Sequence, residues 1–291
     1  MKRLLVSSLT ALLVLGWVRV LPAGCPRGDI DEDCKVSFSD VELMAGLWLR
    51  PRCRGPSCPA DIDDVPGVNL GDFALLAQDW LADQGASIEI HWFDHASFKI
   101  TYLDTVIYID PRNLSIAPHD ATLILVTHTH ADHYSASDIA DVRGPATELI
   151  GPADVIASEG WGTAILPGQT IDLGGVQVTG VAAYNTSSSR HPKSKNWLGF
   201  VVELGPWRIY NAGDTDLTDE MKALTDIDVA ILPIGGTYTM DPLQAAAATG
   251  FFNPALALPA HRRSADPQVF ATNASCDVTI MDPGQTITLQ P

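Results

Sequence analysis

The chain runs to 291 residues, enough for one large domain and a small one. Its 18 lysines and arginines against 35 aspartates and glutamates leave a formal charge of −17, with no basic run anywhere. So acidic a surface argues against nucleic acid and against anionic membrane as partners.

Met1-Lys-Arg opens a short charged region, followed by an apolar run to about Val18 and then Leu21-Pro-Ala-Gly-Cys25. The run is too short for a comfortable membrane span and small residues follow it, the pattern of a secretory signal peptide over residues 1–24. The expectation is an exported chain with no membrane span after processing. Ala-Gly-Cys also resembles the end of a lipoprotein signal, which would place a lipid on Cys25, although Pro22 stands where such motifs carry an aliphatic residue. Four of the five cysteines (Cys25, Cys34, Cys53, Cys58) lie in the first fifth of the chain. In an exported protein this clustering favours disulfides in a thin-cored domain, with three pairings open. Cys276 stands among apolar neighbours and reads as a small core residue.

Residues 25–86 form the expected small domain. Asp40-Val-Glu-Leu-Met-Ala-Gly-Leu-Trp-Leu49 repeats with an offset of 32 as Asp72-Phe-Ala-Leu-Leu-Ala-Gln-Asp-Trp-Leu81. Val41, Met44, Ala45 and Trp48 share one helical face, as do Phe73, Leu76, Ala77 and Trp80, predicting two short helices around a common core. Each is preceded by an acidic loop. Asp29, Asp31 and Asp33 lead to Asp40 at the twelfth position, and Asp61 and Asp63 lead to Asn69 and Asp72 at the ninth and twelfth. Alternating oxygen ligands over twelve residues before a helix suit Ca²⁺. The duplicated half-EF-hand resembles a dockerin domain, a resemblance that implies a cohesin-like protein partner. Cys34 replaces the usual glycine of the first loop. Val65 removes the fifth-position ligand of the second, which is therefore the weaker site.

From Ile88 the pattern changes to strands, and residues 87–291 form the expected large domain. Ile88-Glu-Ile-His-Trp-Phe and Ser97-Phe-Lys-Ile-Thr-Tyr alternate, and Val106-Ile-Tyr-Ile-Asp110 follows. His95 and Asp110 fall at strand ends; His95 is taken as lining a site, His91 and His119 as structural. Leu123-Ile-Leu-Val-Thr is an apolar run that ends in His128-Thr-His130-Ala-Asp132-His133, a hexad that holds three of the eight histidines. His128 and His130 are two apart, so an extended chain points them to one side. Asp132 and His133 follow at the turn into a helix and face a second ion. Imidazole and carboxylate suit Zn²⁺, Mn²⁺ or Fe, and two such ions about 3.5–4 Å apart can share one activated water.

Further strands are predicted around residues 148–150, 170–173, 176–181 and 199–204, with glycine-bearing turns between them. Ala183-Tyr-Asn185 leads through Arg190-His191-Pro-Lys193 to Asn196-Trp197. Arg208-Ile-Tyr-Asn-Ala-Gly-Asp214 is a strand ending in a turn that exposes a carboxylate. Val229-Ala-Ile-Leu-Pro-Ile-Gly-Gly is a buried strand, Asp241-Pro242 caps a helix over residues 243–248, and Ala255-Leu-Ala-Leu-Pro-Ala-His261 brings another imidazole to a strand end.

Asp94-His-Ala-Ser-Phe98, the hexad, Ala212-Gly-Asp-Thr215, Leu232-Pro-Ile-Gly-Gly-Thr-Tyr-Thr-Met240 and Leu258-Pro-Ala-His261, in that order, resemble the metallo-β-lactamase superfamily, and within it the metal-dependent hydrolase branch near ascorbate-6-phosphate lactonase. The resemblance covers about two hundred residues from Ile88 onward. It implies an α/β fold, the αβ/βα four-layer sandwich. It also implies two divalent transition metals, Zn or Mn, with His128 and His130 on one ion, Asp132, His133 and His261 on the other, and Asp214 between. Asn185 stands where many members place the third histidine of the first ion. His191 is the candidate substitute; otherwise it faces substrate beside Lys193. Arg262-Arg263 depart from the aromatic residue that commonly follows the last histidine, and Arg262 is a candidate for binding an anionic group. The implied activity is hydrolysis of an ester, lactone or phosphoester of a small molecule, with Asp132 orienting the nucleophile and carrying its proton. The rivals are a phosphodiesterase acting on lipid or nucleotide esters, and a non-catalytic protein that binds through its N-terminal module.

Overall fold

The computed structural model describes residues 28–31, 36–48, 58–63, 65, 67–186 and 188–291. The expected signal peptide, Cys25, Asp33, Cys34 and Cys53 lie outside the described residues. The chain divides into two compact units, the first ending at Trp80 and the second beginning at Leu81, against a boundary expected after residue 86.

In the first unit, helix α1 (Phe38–Leu47) and helix α2 (Leu70–Gly85) carry the repeat. Ser37 caps α1 in a capping box: Ser37 N donates to Asp40 Oδ2 at 2.7 Å while its hydroxyl accepts from the first turn. Asp40 Oδ1 then accepts from Ile30 N at 2.5 Å and Asp31 N at 3.3 Å. The second copy repeats these bonds position for position: Asp72 Oδ2 accepts from Asn69 N at 2.8 Å, and its Oδ1 from Ile62 N at 2.6 Å and Asp63 N at 3.1 Å. The core is paired in the same way, Ile30 with Ile62, Val36 with Val68 and Met44 with Leu76, beside Cys58, which is disulfide-bonded. The helical-face expectation fails at Ala45 and Phe73, which are exposed, because the aliphatic residues of the loops fill the space between the helices. The Trp80 side chain lies outside the described residues.

The second unit begins with β1 (Ile88–Asp94), β2 (Ser97–Tyr102), β3 (Thr105–Ile109), β4 (Ala121–Leu125), α3 (Ala136–Val142), β5 (Arg143–Gly151), α4 (Ala153–Glu159) and β6 (Thr163–Ala164). It continues with β7 (Thr170–Asp172), β8 (Val176–Ala182), β9 (Leu198–Leu204), β10 (Trp207–Asn211), α5 (Asp219–Lys222), β11 (Val229–Pro233) and α6 (Pro242–Phe252). β12 (Leu256–Ala260), α7 (Pro267–Asn273), β13 (Asp277–Val278) and β14 (Thr286–Leu289) complete it.

These strands form two seven-stranded sheets, ordered β14-β1-β2-β3-β4-β5-β6 and β13-β12-β11-β10-β9-β8-β7. Each contains an antiparallel meander that passes into parallel strands: β3, β4 and β5 in one, β10, β11 and β12 in the other. The inner faces meet in one core that includes Ile90, Phe98, Ile109 and Leu125 from the first sheet and Phe200, Val202, Ile209 and Ile231 from the second. Ile139, Val142 and Val155 of α3 and α4 cover the outer face of the first sheet. Met221, Ala245, Phe252 and Phe270 of α5, α6 and α7 cover that of the second. The result is the expected helix–sheet–sheet–helix layering. Parallel strands in each sheet run toward one rim, so their carboxyl ends deliver loops to a common edge. Among the described residues no helix is long and apolar enough to cross a membrane.

Candidate metal centre

β4 runs on through buried Val126 and Thr127 to His128. The chain then tightens, with His133 N and Tyr134 N both donating to His130 O at 2.9 and 2.8 Å, and this turn swings Asp132 and His133 away from the strand direction. The loop after β8 is closed by Asn185 N donating to His191 O at 2.7 Å, which carries the His191 ring to 4.6 Å from His128 and 4.7 Å from His130. Ligand atoms of His128, His130 and His191 all lie within 4.8 Å of one another, and so do those of His95, Asp132, His133 and His261. Asp214 stands between the two groups. Its Oδ1 is 3.2 Å from His133 Nε2 and 3.3 Å from His261 Nε2, and its Oδ2 is 3.7 Å from His191 Nε2.

Nε2 of His128, His133 and His261 and Oδ1 of Asp214 are buried and make no hydrogen bond. Buried polar atoms left this way cost free energy, and their convergence on one place fits a shared cation. Imidazoles and carboxylates with no thiolate among them fit divalent Zn, Mn or Fe.

Behind the imidazoles lies Asp110, whose left-handed backbone (φ 46°) turns its carboxylate back under the rim. Asp110 Oδ2 accepts from His133 Nδ1 and from Thr127 Oγ1, each at 2.7 Å, and its Oδ1 from Thr127 N at 2.7 Å. The Thr127 hydroxyl spends its proton on Asp110, so toward His128 Nδ1, 2.9 Å away, it acts as acceptor. That assignment puts the His128 proton on Nδ1 and leaves Nε2 bare for a metal. Trp197, hydrogen-bonded to Asp154 at 2.8 Å, packs its ring 4.8–5.0 Å from those of His128, His130 and His191. His95 and His261 are also left-handed (φ 52° and 45°), and His261 N donates to His95 O at 2.9 Å. Such conformations are costly for residues with a Cβ, and Asp110, His95 and His261 are among the ten non-glycine residues that adopt them in the described chain.

Burial pushes the imidazolium pKa of His128 far down, that of His191 to about 4, and that of His130 down as well. These three are therefore neutral ligands in waiting. His133 is equally buried, but the carboxylates of Asp214 and Asp110 outweigh burial and hold it up at about 10. In His261 burial is likewise outweighed, by the neighbouring carboxylates of Asp132 and Asp214. The imidazoles of His261, 3.8 Å away, and of His95, hydrogen-bonded at 3.3 Å, hold Asp132 well below the carboxylate range. Asp214 is low because His133 and His261 overcome its burial.

The site opens into a pocket of about 260 Å³ lined by His130, Asp132, Arg190, His191, Asp214, Tyr238 and Arg263. Of the residues expected at substrate, His95 sits 3.3 Å from Asp132 and belongs to the second cluster. Lys193 instead turns to Glu220 at 2.6 Å and stacks on Tyr184, a surface pairing that draws it off the pocket lining. Arg262 is likewise drawn off: it binds the carbonyls of Pro259 and Met281 and lies over the Trp92 ring, so its neighbour Arg263 takes the place at the pocket. Asn185 uses its amide on Asp216 and on Tyr238 O, at 3.1 and 2.8 Å, and so anchors a loop. Asp110, Trp197, Arg190 and Tyr238 were not singled out from sequence. Only Asp110, before a proline at a strand end, carried a local signal.

Fold and site together define a metal-dependent hydrolase. Residues 89–261 match the family model of the Beta-lactamase superfamily domain. A UPF0173 metal-dependent hydrolase of Thermoplasma acidophilum is 35% identical over 202 residues, covering 63% of this chain and 89% of the relative. One of Pyrobaculum neutrophilum is 34% identical over 232 residues, 69% of this chain and 100% of the relative. The crystal structure of a Parabacteroides distasonis protein assigned as a metal-dependent hydrolase is 30% identical, with a TM-score of 0.61 over 68% of this chain and 97% of that one. The chain belongs to the metallo-β-lactamase superfamily, in its UPF0173 metal-dependent hydrolase family.

Proposed function

We propose that the chain hydrolyses an ester, lactone or phosphoester bond of a small molecule at a binuclear centre. His128, His130 and His191 would hold one ion and Asp132, His133 and His261 the other, with Asp214 standing between the two sets. Divalent ions so held supply Lewis acidity and bring water within reach of deprotonation near neutral pH. The protein's own part is orientation and proton handling. Asp132, 37% exposed at the pocket and braced by His95 and His261, is ionised and positioned to take a proton from the nucleophile and return it to the leaving group. Asp110 and Thr127 hold His133 and His128 in the tautomers that present Nε2 inward.

The observation that carries this reading is the convergence of buried imidazole nitrogens without partners on one aspartate. Elemental analysis of protein purified without chelator should find about two transition-metal ions per chain. A panel of lactones, carboxylic esters and phosphodiesters should show turnover that Asp132→Ala abolishes. Full activity in that variant would overturn the mechanism, and turnover of phosphodiesters alone would favour the phosphodiesterase reading.

For the N-terminal unit we propose Ca²⁺ binding at Asp29, Asp31 and Asp40 and, more weakly, at Asp61, Asp63 and Asp72. The support is the proximity of each carboxylate set and the matching hydrogen bonds of Asp40 and Asp72. Calorimetric titration with Ca²⁺ checks it, and an absence of heat at millimolar Ca²⁺ would leave these loops as purely structural caps.

A further inference from the structure

Two guanidinium groups face the pocket from different loops. Arg190 precedes His191, and Arg263 lies two residues after His261. Tyr238 contacts both, with the Arg190 guanidinium 4.8 Å and the Arg263 guanidinium 5.6 Å from its ring centroid. Neither arginine forms an ion pair with a carboxylate among the described residues. Lys99, Lys193, Arg208 and Lys222 are paired with acids, and of the described cations without a carboxylate partner only Arg190 and Arg263 line this pocket.

The scaffold fixes their spacing. Asn185 Nδ2 holds Tyr238 O at 2.8 Å, and the same residue's N–H closes the loop that carries Arg190. Gly236 N donates to Met240 O at 3.1 Å, which folds the Tyr238 loop back on itself. A cation–π contact with one aromatic ring engages each guanidinium without using its N–H groups, which leaves the fork that can grip a carboxylate or phosphate with paired donors. Asp132 and Asp214, the carboxylates of the same pocket, are those assigned to the ions, so they do not compete for the arginines.

We propose that Arg190, Tyr238 and Arg263 form an anion clamp, and that the substrate carries a carboxylate or phosphate group besides the bond that is cut. The inference rests on the hydrolase reading of the same pocket and narrows it to acidic small molecules.

Two measurements test it. The first compares kcat/KM for 4-nitrophenyl acetate with that for mono-4-nitrophenyl glutarate, which share a leaving group and differ in charge. The wild type should favour the glutarate by about tenfold or more, and in Arg190→Gln/Arg263→Gln that ratio should fall by about 10- to 100-fold. Arg190→Lys/Arg263→Lys, which keeps charge without the fork, should recover part of it. The second is calorimetric titration of the metal-loaded protein with inorganic phosphate and with glutarate. Binding should weaken by a similar factor in the glutamine variant, and whichever anion binds tighter names the substrate's group. A wild type with no charge preference, or a preference and anion affinity unchanged by the double substitution, overturns the clamp while leaving the hydrolase intact. If neither ester is cut but anion affinity falls in the variant, the clamp stands and the ester reading fails.

Discussion

His133 Nδ1 lies 2.7 Å from Asp110 Oδ2, with both side chains fully buried. A carboxylate behind a ligating imidazole fixes the ring's orientation and raises its basicity. Asp110→Asn keeps the shape but removes the charge. Metal affinity should fall by about 10- to 100-fold, measured by competition with a chromogenic chelator. Unchanged affinity would mean that packing alone orients His133.

The same pair sets a pH dependence in metal-free protein. His133 is held at about 10, above its ordinary 6.5, so proton binding favours the folded state. That stabilisation is complete below pH 6.5 and is lost as pH climbs through about 10. His191 works the other way: pushed to about 4 by burial, it makes the folded state lose stability as pH falls from 6.5 toward 4. Melting temperatures of chelated protein should therefore decline on both sides of neutrality. Metal, by replacing the His133 proton, should flatten the alkaline arm. An alkaline arm equally steep with metal bound would count against the assignment.

His191 and Asn185 should separate by metal content. His191→Ala should reduce the bound ions from about two to about one per chain. Asn185→Ala should retain both and instead destabilise the fold by about 1–3 kcal/mol, because the Tyr238 carbonyl and Asp216 lose a donor. Loss of an ion from the Asn185 variant would reverse the two roles.

Gly235 approaches His261 so closely that a Cβ would lie 2.5 Å from its carbonyl oxygen and 3.2 Å from its Nδ1. Gly235→Ala should shift His261 and weaken the ion it shares with Asp132 and His133, leaving the His128 side loaded. Metal titration with two resolved affinities reports it, and an unaltered weaker affinity would show that the loop yields instead.

The hexad was legible because its spacing is local. A strand followed by a tight turn orients four side chains with little help from the rest of the chain; alternation and glycine punctuation marked the strands, while the two-sheet layering was implied by the family resemblance. Asp110 was harder, since its contact with His133 spans 23 residues and depends on a left-handed φ that sequence does not announce. Arg262 and Arg263 show a different limit: which of two adjacent arginines faces the pocket depends on where the carbonyls of Pro259 and Met281 happen to lie. In the N-terminal unit the repeat was plain, yet Phe73 faces solvent because loop residues, outside any helical periodicity, supply the core.

The rim where the two sheets meet is joined by Leu198 N donating to Thr127 O at 3.1 Å and His261 N to His95 O at 2.9 Å. The proposed ligands divide along the same line, with His128, His130, Asp132 and His133 from one sheet and His191, Asp214 and His261 from the other. With the ligands so divided neither half alone would complete an ion's shell, and a bound metal would act as a clasp across the seam. A protease cutting at the rim would then serve as a gauge of loading, slow on the clasped protein and fast once a chelator has undone it.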